Sequence, residues 1–192
     1  MSSKRLLLGL ATLLALGLPA VGMAETYDVD KAHSFFMFRA VRMGIANIYG
    51  RFNDFEGTLE LDGDDFEDAS FALSINVQSI DSGEERRDAH LRSPDFLNAA
   101  QIRELSFESE TITKTSEGHF EVGGRLTLHG VTNQVTAVVE IVGQGKDPRS
   151  GKRLLGFDGT FTFKRSDFDM NFMPGMISDE VLVHMAVQVV SR

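Results

Sequence analysis

The sequence predicts an all-β protein in which about eight antiparallel strands close into a barrel, with one short helical insert over residues 83–98. Three observations carry this. Most of the chain alternates apolar and polar residues with period two, the pattern of half-buried antiparallel strands. One strand slips phase in its middle, as a strand does where it bends round a barrel. Only one segment, after Asp81, drops the alternation for helical spacing.

The first 24 residues stand apart from this pattern. Lys4 and Arg5 precede a Leu/Ala/Gly run from Leu6 to Leu18, and Gly22-Met23-Ala24 places small residues where a signal peptidase reads. A charged start, a short apolar middle and a small-residue exit predict a secretory signal cleaved after Ala24. The run is shorter than the roughly 20 residues of a membrane span. Residues 25–192 then form one domain. The removed segment holds two of the 19 basic residues and none of the 28 acidic ones, which leaves a net charge of −11. Such a surface repels phosphate backbones and anionic headgroups, so nucleic acid and peripheral membrane binding are disfavoured. Cysteine is absent. The barrel is therefore held by its core alone, and a lipid anchor of the bacterial type, which needs a cysteine, is excluded. The expected address is the periplasm, with no stable membrane anchor.

The strands follow in order. Ile48, Gly50 and Phe52 share one parity while Phe55, Gly57, Leu59 and Leu61 share the other, so an extra residue near Asn53-Asp54 puts both sets on one face. Ser70 to Gln78 places Phe71, Leu73, Ile75 and Val77 together. Val135, Ala137 and Val139 alternate with polar neighbours, as do Phe157, Phe161 and Phe163. Val181, Val183, Met185, Val187 and Val189 form one face of the last strand. The helical insert opens with Ser82 and Glu85 spaced as a capping box. No Gly or Pro interrupts Glu84 to Arg92, and Ser93-Pro94 begins a second short turn ending near Asn98. Arg87, His90 and Leu91 share a helix face at spacings of three and four. With no Trp, two Tyr and 15 Phe placed mostly on interior faces, the chain lacks the aromatic girdles of an outer-membrane barrel.

Enzyme signatures are missing. There is no GxSxG elbow and no glycine-rich phosphate loop, and paired carboxylates such as Asp64-Asp65 and Glu84-Glu85 read as solvated. Among five histidines none forms a close ligand pair. His119 and His184 read as solvated, whereas His33 and His90 lie where both could approach one end of the barrel. Met170, Met173 and Met176 have an MxxMxxM spacing that suits thioether coordination of Cu(I). The plainer reading is a loop of flexible side chains that line or gate an apolar cavity. Arg165 continues the inward parity of Phe157, Phe161 and Phe163, where an unpaired charge is costly. Asp167 neutralises it, a polar ligand head awaits it, or it reaches solvent at the strand end. Arg39 raises the same question through its parity with Phe35, Met37 and Val41.

Four blocks in order resemble the YceI-like family of exported lipid-binding proteins. They are Tyr27-Asp28-Val29-Asp30-Lys31-Ala32-His33-Ser34, the Tyr49-Gly50-Arg51-Phe52-Asn53-Asp54-Phe55-Glu56-Gly57-Thr58 block, the helix Arg87-Asp88-Ala89-His90-Leu91-Arg92-Ser93-Pro94-Asp95-Phe96-Leu97-Asn98, and the hairpin Leu126-Thr127-Leu128-His129-Gly130-Val131-Thr132. Two departures stand out: Gln101-Ile102-Arg103 where the family commonly shows Lys-Tyr-Pro, and Asp169 where its R-x-D-F-G motif has glycine. The resemblance implies a lipocalin-like barrel holding a polyisoprenoid, an isoprenoid quinone or a similar amphiphile, hence a carrier without catalytic residues or cofactor. The ligand-binding residues expected are His33, Arg87, His90, Leu91, Phe96, Phe157, Phe161, Phe163, Arg165 and Met170, with His33, Arg87, His90 and Arg165 toward the head group. The rival readings are a barrel filled by its own side chains, acting as a structural or interaction protein, and a copper-handling protein built on the three methionines. A homodimer through an exposed edge is compatible with either.

Overall fold

A computed structural model describes residues 24–192, so the signal peptide predicted over residues 1–24 lies outside the described residues except for Ala24. The chain enters as β1 (Glu25–Val29) and β2 (Phe35–Arg42), two halves of one bent ribbon. Both run against the last strand, β11 (Glu180–Ser191), with Val29 opposite Val189 and Phe36 opposite Met185. A second bent ribbon is made by β3 (Ala46–Phe52) and β4 (Phe55–Leu61), and a third by β5 (Ser70–Asn76) and the short β6 (Ile80–Asp81). Then β7 (Glu104–Ser116), β8 (His119–Leu128), β9 (Val131–Lys146) and β10 (Arg153–Lys164) meander back to β11. Because β1 pairs with both β4 and β11, the eight ribbons close into an antiparallel barrel. Closure leaves few free edges, and this number of strands encloses room for one small ligand.

Side-chain hydrogen bonds hold the bends. Asp30 caps the turn at Lys31–His33 by accepting from the Ala32 amide, and its other carboxylate oxygen takes the Gln188 side chain of β11 at 3.0 Å. The expected phase slip falls between β3 and β4. There the Asn53 amide turns to the Ser79 carbonyl (3.1 Å), and the Asp54 carbonyl accepts from the Asn76 amide (2.9 Å). The inward parity of both halves is thereby kept, with Phe52 and Leu59 on the lumen wall. Close approach of β7 and β8 requires Gly124, since a Cβ there would run into the Glu108 carbonyl and the Phe107 ring.

The only α-helix among the described residues, α1 (Glu85–Leu91), is shorter than expected and differently capped. Glu84 is the N-cap, accepting from the Arg86 and Arg87 amides. Ser82 cannot act as the cap because its hydroxyl already donates to Asp88 and accepts from Arg87 Nε at 2.7 Å. Residues 93–98 form hydrogen-bonded turns and no second helix. Arg92 fastens the insert to the barrel, donating to the Gln78 carbonyl (3.0 Å) and the Ile80 carbonyl (2.7 Å).

Candidate ligand cavity

The inward faces of the barrel enclose an apolar cavity of about 250 Å³. Its walls are inward-facing residues drawn from strands all round the barrel, so Phe71, Val135, Phe161 and Val183 face one space. One end is closed by Phe66, on the loop between β4 and β5. Its ring centroid lies 5.7 Å from Phe120 and 5.9 Å from Phe157. Asp65 fixes this plug by capping the turn Phe66–Asp68 through the Glu67 amide.

The opposite end is polar in one place. Arg165 is only 5% exposed and forms part of the cavity wall. Its guanidinium donates to three backbone carbonyls: Ser178 (3.1 Å), Ile177 (3.3 Å) and Met170. No carboxylate pairs with it among the described residues. Asp167, one expected partner, is exposed, and the solvent alternative also fails because the side chain is buried. Its direct hydrogen-bond partners are all backbone carbonyls, an arrangement that tethers the 169–178 loop to the barrel. Asp179 sits nearby. Hydrogen bonds from the Ser166 hydroxyl (2.7 Å) and amide (2.9 Å), with the Arg165 charge added, hold its carboxyl below the ordinary value.

Of the ten expected ligand residues, Leu91, Phe96, Phe157, Phe161, Phe163, Arg165 and Met170 line the cavity. The other three do not. His33 is exposed at the bend between β1 and β2, with Nδ1 2.7 Å from Asp30. Arg87 is spent on Ser82, through its hydroxyl and its carbonyl (2.7 Å each). His90 lies one layer out, edge-on to Phe96 (5.0 Å) and Phe172 (5.3 Å), with Nε2 2.9 Å from Asp95. The three methionines part company: Met170 is buried in the cavity wall, whereas Met173 and Met176 are exposed. No group of three or more His, Asp or Glu placed to hold a metal occurs among the described residues.

Comparison with known proteins decides the family. Residues 27–189 match the YceI-like domain. The chain belongs to the YceI-like family. A "UPF0312 protein" of Pseudomonas aeruginosa is 38% identical over 187 residues, covering 96% of this chain and 97% of the relative. Among solved structures, Burkholderia cenocepacia BcnA superposes with a TM-score of 0.75 at 23% identity, over 83% of this chain and 98% of its own. A polyisoprenoid binding domain from Saccharophagus degradans gives 0.66 at 15% identity, over 86% and 98%. Those two likenesses speak for the fold.

The YceI-like blocks build the barrel more than they line it. In the first, Ser34 exchanges hydrogen bonds with the Gln188 backbone (3.0 and 3.3 Å), pinning the bend to β11. In the second, Asp54 holds Asn76 (3.1 Å) and Lys31 (3.0 Å) across the break between β3 and β4. In the fourth, His129 and Gly130 both take positive φ (54° and 80°), the two-residue turn that matches strand twist. The departure at Asp169 has the same kind of explanation. Its φ is 59°, which glycine adopts without strain and which aspartate tolerates better than most residues.

Sequence reasoning missed several lumen residues. Phe36 and Phe38 line the cavity and Arg39 does not, although Met37, which shares the parity of Arg39, reaches the wall as well. Both faces of Phe35-Phe36-Met37-Phe38 are apolar, so alternation is silent there. Pairing of Phe36 with Met185 and Phe38 with Val183 sets the face instead. Phe66 was hidden within Asp64-Asp65-Phe66-Glu67-Asp68, where acidic neighbours give no inward signal.

Proposed function

We propose that this YceI-like barrel binds a long-chain polyisoprenoid, an isoprenoid quinone or a similar amphiphile in its lumen and carries it through the periplasm. The observation that carries the reading is a cavity walled by aromatic and aliphatic side chains and plugged at one end by Phe66. Each buried CH₂ of a tail contributes about 0.8 kcal/mol, so apolar contact alone supports tight binding. The Saccharophagus domain, described as polyisoprenoid binding, supports the choice of tail. In this reading the head group lies at the α1 end, with Arg165 on the wall and His90 beyond Phe96. Export rests on the leader pattern of residues 1–24.

One observation favours the rival in which side chains fill the barrel. A volume of about 250 Å³ lies below the roughly 300–1,000 Å³ of drug-sized pockets, so a long tail must displace phenylalanine rings or protrude. Titrating the delipidated protein with isoprenoid alcohols of two to eight units, followed by native mass spectrometry, separates the two. Affinity that climbs with tail length and then levels off supports the carrier. No saturable binding at any length supports the filled barrel.

A further inference from the structure

The exposed large apolar residues of the described chain are not scattered evenly. Five of them, Met43, Ile45, Phe172, Met173 and Met176, sit on two neighbouring loops at the α1 end of the barrel. The tip of the β2–β3 hairpin holds the first two, and the loop between β10 and β11 holds the others. The loops are joined: the Met43 amide donates to the Met176 carbonyl (2.7 Å), and Arg42 bridges to Ile177. Phe172 leans on Phe96 and His90, ring centroids 5.5 and 5.3 Å away.

This apolar rim is continuous with the lumen. Met170 and Ile177 lie on the cavity wall, while the residues between them on the same loop face outward. Charge marks the rim as well. In a chain that is 24% charged with a net charge of −9, neither residues 43–50 nor residues 170–178 carry a charged side chain; exposed Arg42, Asp169 and Asp179 flank them. Backbone cost points the same way, because Met43 and Met173 hold positive φ (53° and 51°), a conformation that favours glycine or asparagine. Methionine at both positions trades backbone comfort for an exposed flexible apolar side chain.

We propose that this rim docks transiently on a zwitterionic phospholipid bilayer, where the barrel takes up or releases its amphiphile. The inference rests on the carrier reading above. An apolar tip flanked by one Arg and two Asp on an acidic protein complements a net-neutral headgroup layer, and the protein's net charge is repelled by an anionic one. The charge argument against peripheral membrane binding thus applies to anionic surfaces only.

The chain contains no tryptophan, so one introduced indole reports position. Ile45, 79% exposed at the hairpin tip, is replaced as Ile45→Trp; Val142, 69% exposed on β9, serves as the control Val142→Trp. With phosphatidylcholine vesicles, emission from Ile45→Trp should shift to the blue and Val142→Trp should stay unchanged. Adding phosphatidylglycerol should weaken the shift. In flotation assays the double variant Ile45→Ser, Phe172→Ser should reduce the bound fraction about tenfold or more. Circular dichroism checks that each variant is folded. No shift for Ile45→Trp, or equal shifts for both probes, overturns the proposal. So does a wild-type dimer that Ile45→Ser dissociates while vesicles change nothing, which assigns the rim to a second copy. The vesicles carry no isoprenoid, so failure here leaves the lumen reading standing, and that reading fails only on ligand binding itself.

Discussion

Phe66 and Phe157 meet edge to face, ring centroids 5.9 Å apart and planes at 78°, and so close the end of the lumen remote from α1. The contact joins a loop residue to a wall residue, which makes the loop a floor. Phe66→Ala should remove this floor at a cost of about 2 kcal/mol, less than the roughly 3–5 kcal/mol of a fully buried phenylalanine. Urea denaturation measures the cost. The variant should also accept longer tails, read as a shift in the chain-length distribution of co-purified lipid. An unchanged distribution would mean that Phe66 does not limit tail length.

Arg165 fastens the loop at the other end. Arg165→Met keeps the volume but leaves the Met170, Ile177 and Ser178 carbonyls without their donor. We expect a loss of about 1–3 kcal/mol. Amide exchange across 169–178 should accelerate while β7 and β8 remain protected. Arg165→Lys should rescue little, since an ammonium cannot reach three diverging carbonyls as a planar guanidinium does.

Asp169 holds a left-handed conformation (φ 59°) at a position where glycine is unstrained. Asp169→Gly relieves that strain but loosens the unfolded chain, so the net gain should be up to about 1 kcal/mol. Asp169→Val should destabilise instead. Thermal unfolding midpoints order the three proteins, and a valine variant as stable as the parent would refute the backbone argument.

Tyr27 is fully buried against the barrel wall and donates to Glu25 at 2.7 Å. Burial first, then the bond to Glu25, pushes its phenol up to about 12 from an ordinary 10.0. A raised folded value favours the neutral phenol, so its contribution to stability is complete below pH 10 and is lost as pH rises towards 12. In a Tyr49→Phe variant, where Tyr27 is the remaining tyrosine, the phenolate absorbance should appear near pH 12. A midpoint near 10 in the folded protein would contradict the buried placement.

Much of the barrel was legible because β5, β9, β10 and β11 each bury one face, and period-two alternation reports that directly. The break at Asn53-Asp54 was legible for the same reason, since a bulge leaves a change of parity. Pairing register is long-range information and was not. It alone turns Phe36 and Phe38 inward and keeps half-buried Arg39 off the cavity wall. The helix was readable as a helix, but its cap was not. Ser82 fits the local rule and Glu84 does not, yet Asp88 with Arg87 claims the Ser82 hydroxyl and leaves the cap to Glu84. The YceI-like motifs identified the family, yet His33 and Arg87 serve the scaffold through Asp30 and Ser82 and do not reach the cavity. A motif marks what the fold needs, and here that is mostly bends and clasps.

The central claim is that the lumen holds an amphiphile. Mass spectrometry of an organic extract from protein purified out of its native cells, beside native mass spectrometry of the intact protein, tests it most directly. A lumen that holds an amphiphile yields a stoichiometric isoprenoid or other long-chain lipid and a matching mass increment on the folded chain. An empty extract, with the protein at its bare polypeptide mass, would contradict it and leave a barrel filled by its own phenylalanines.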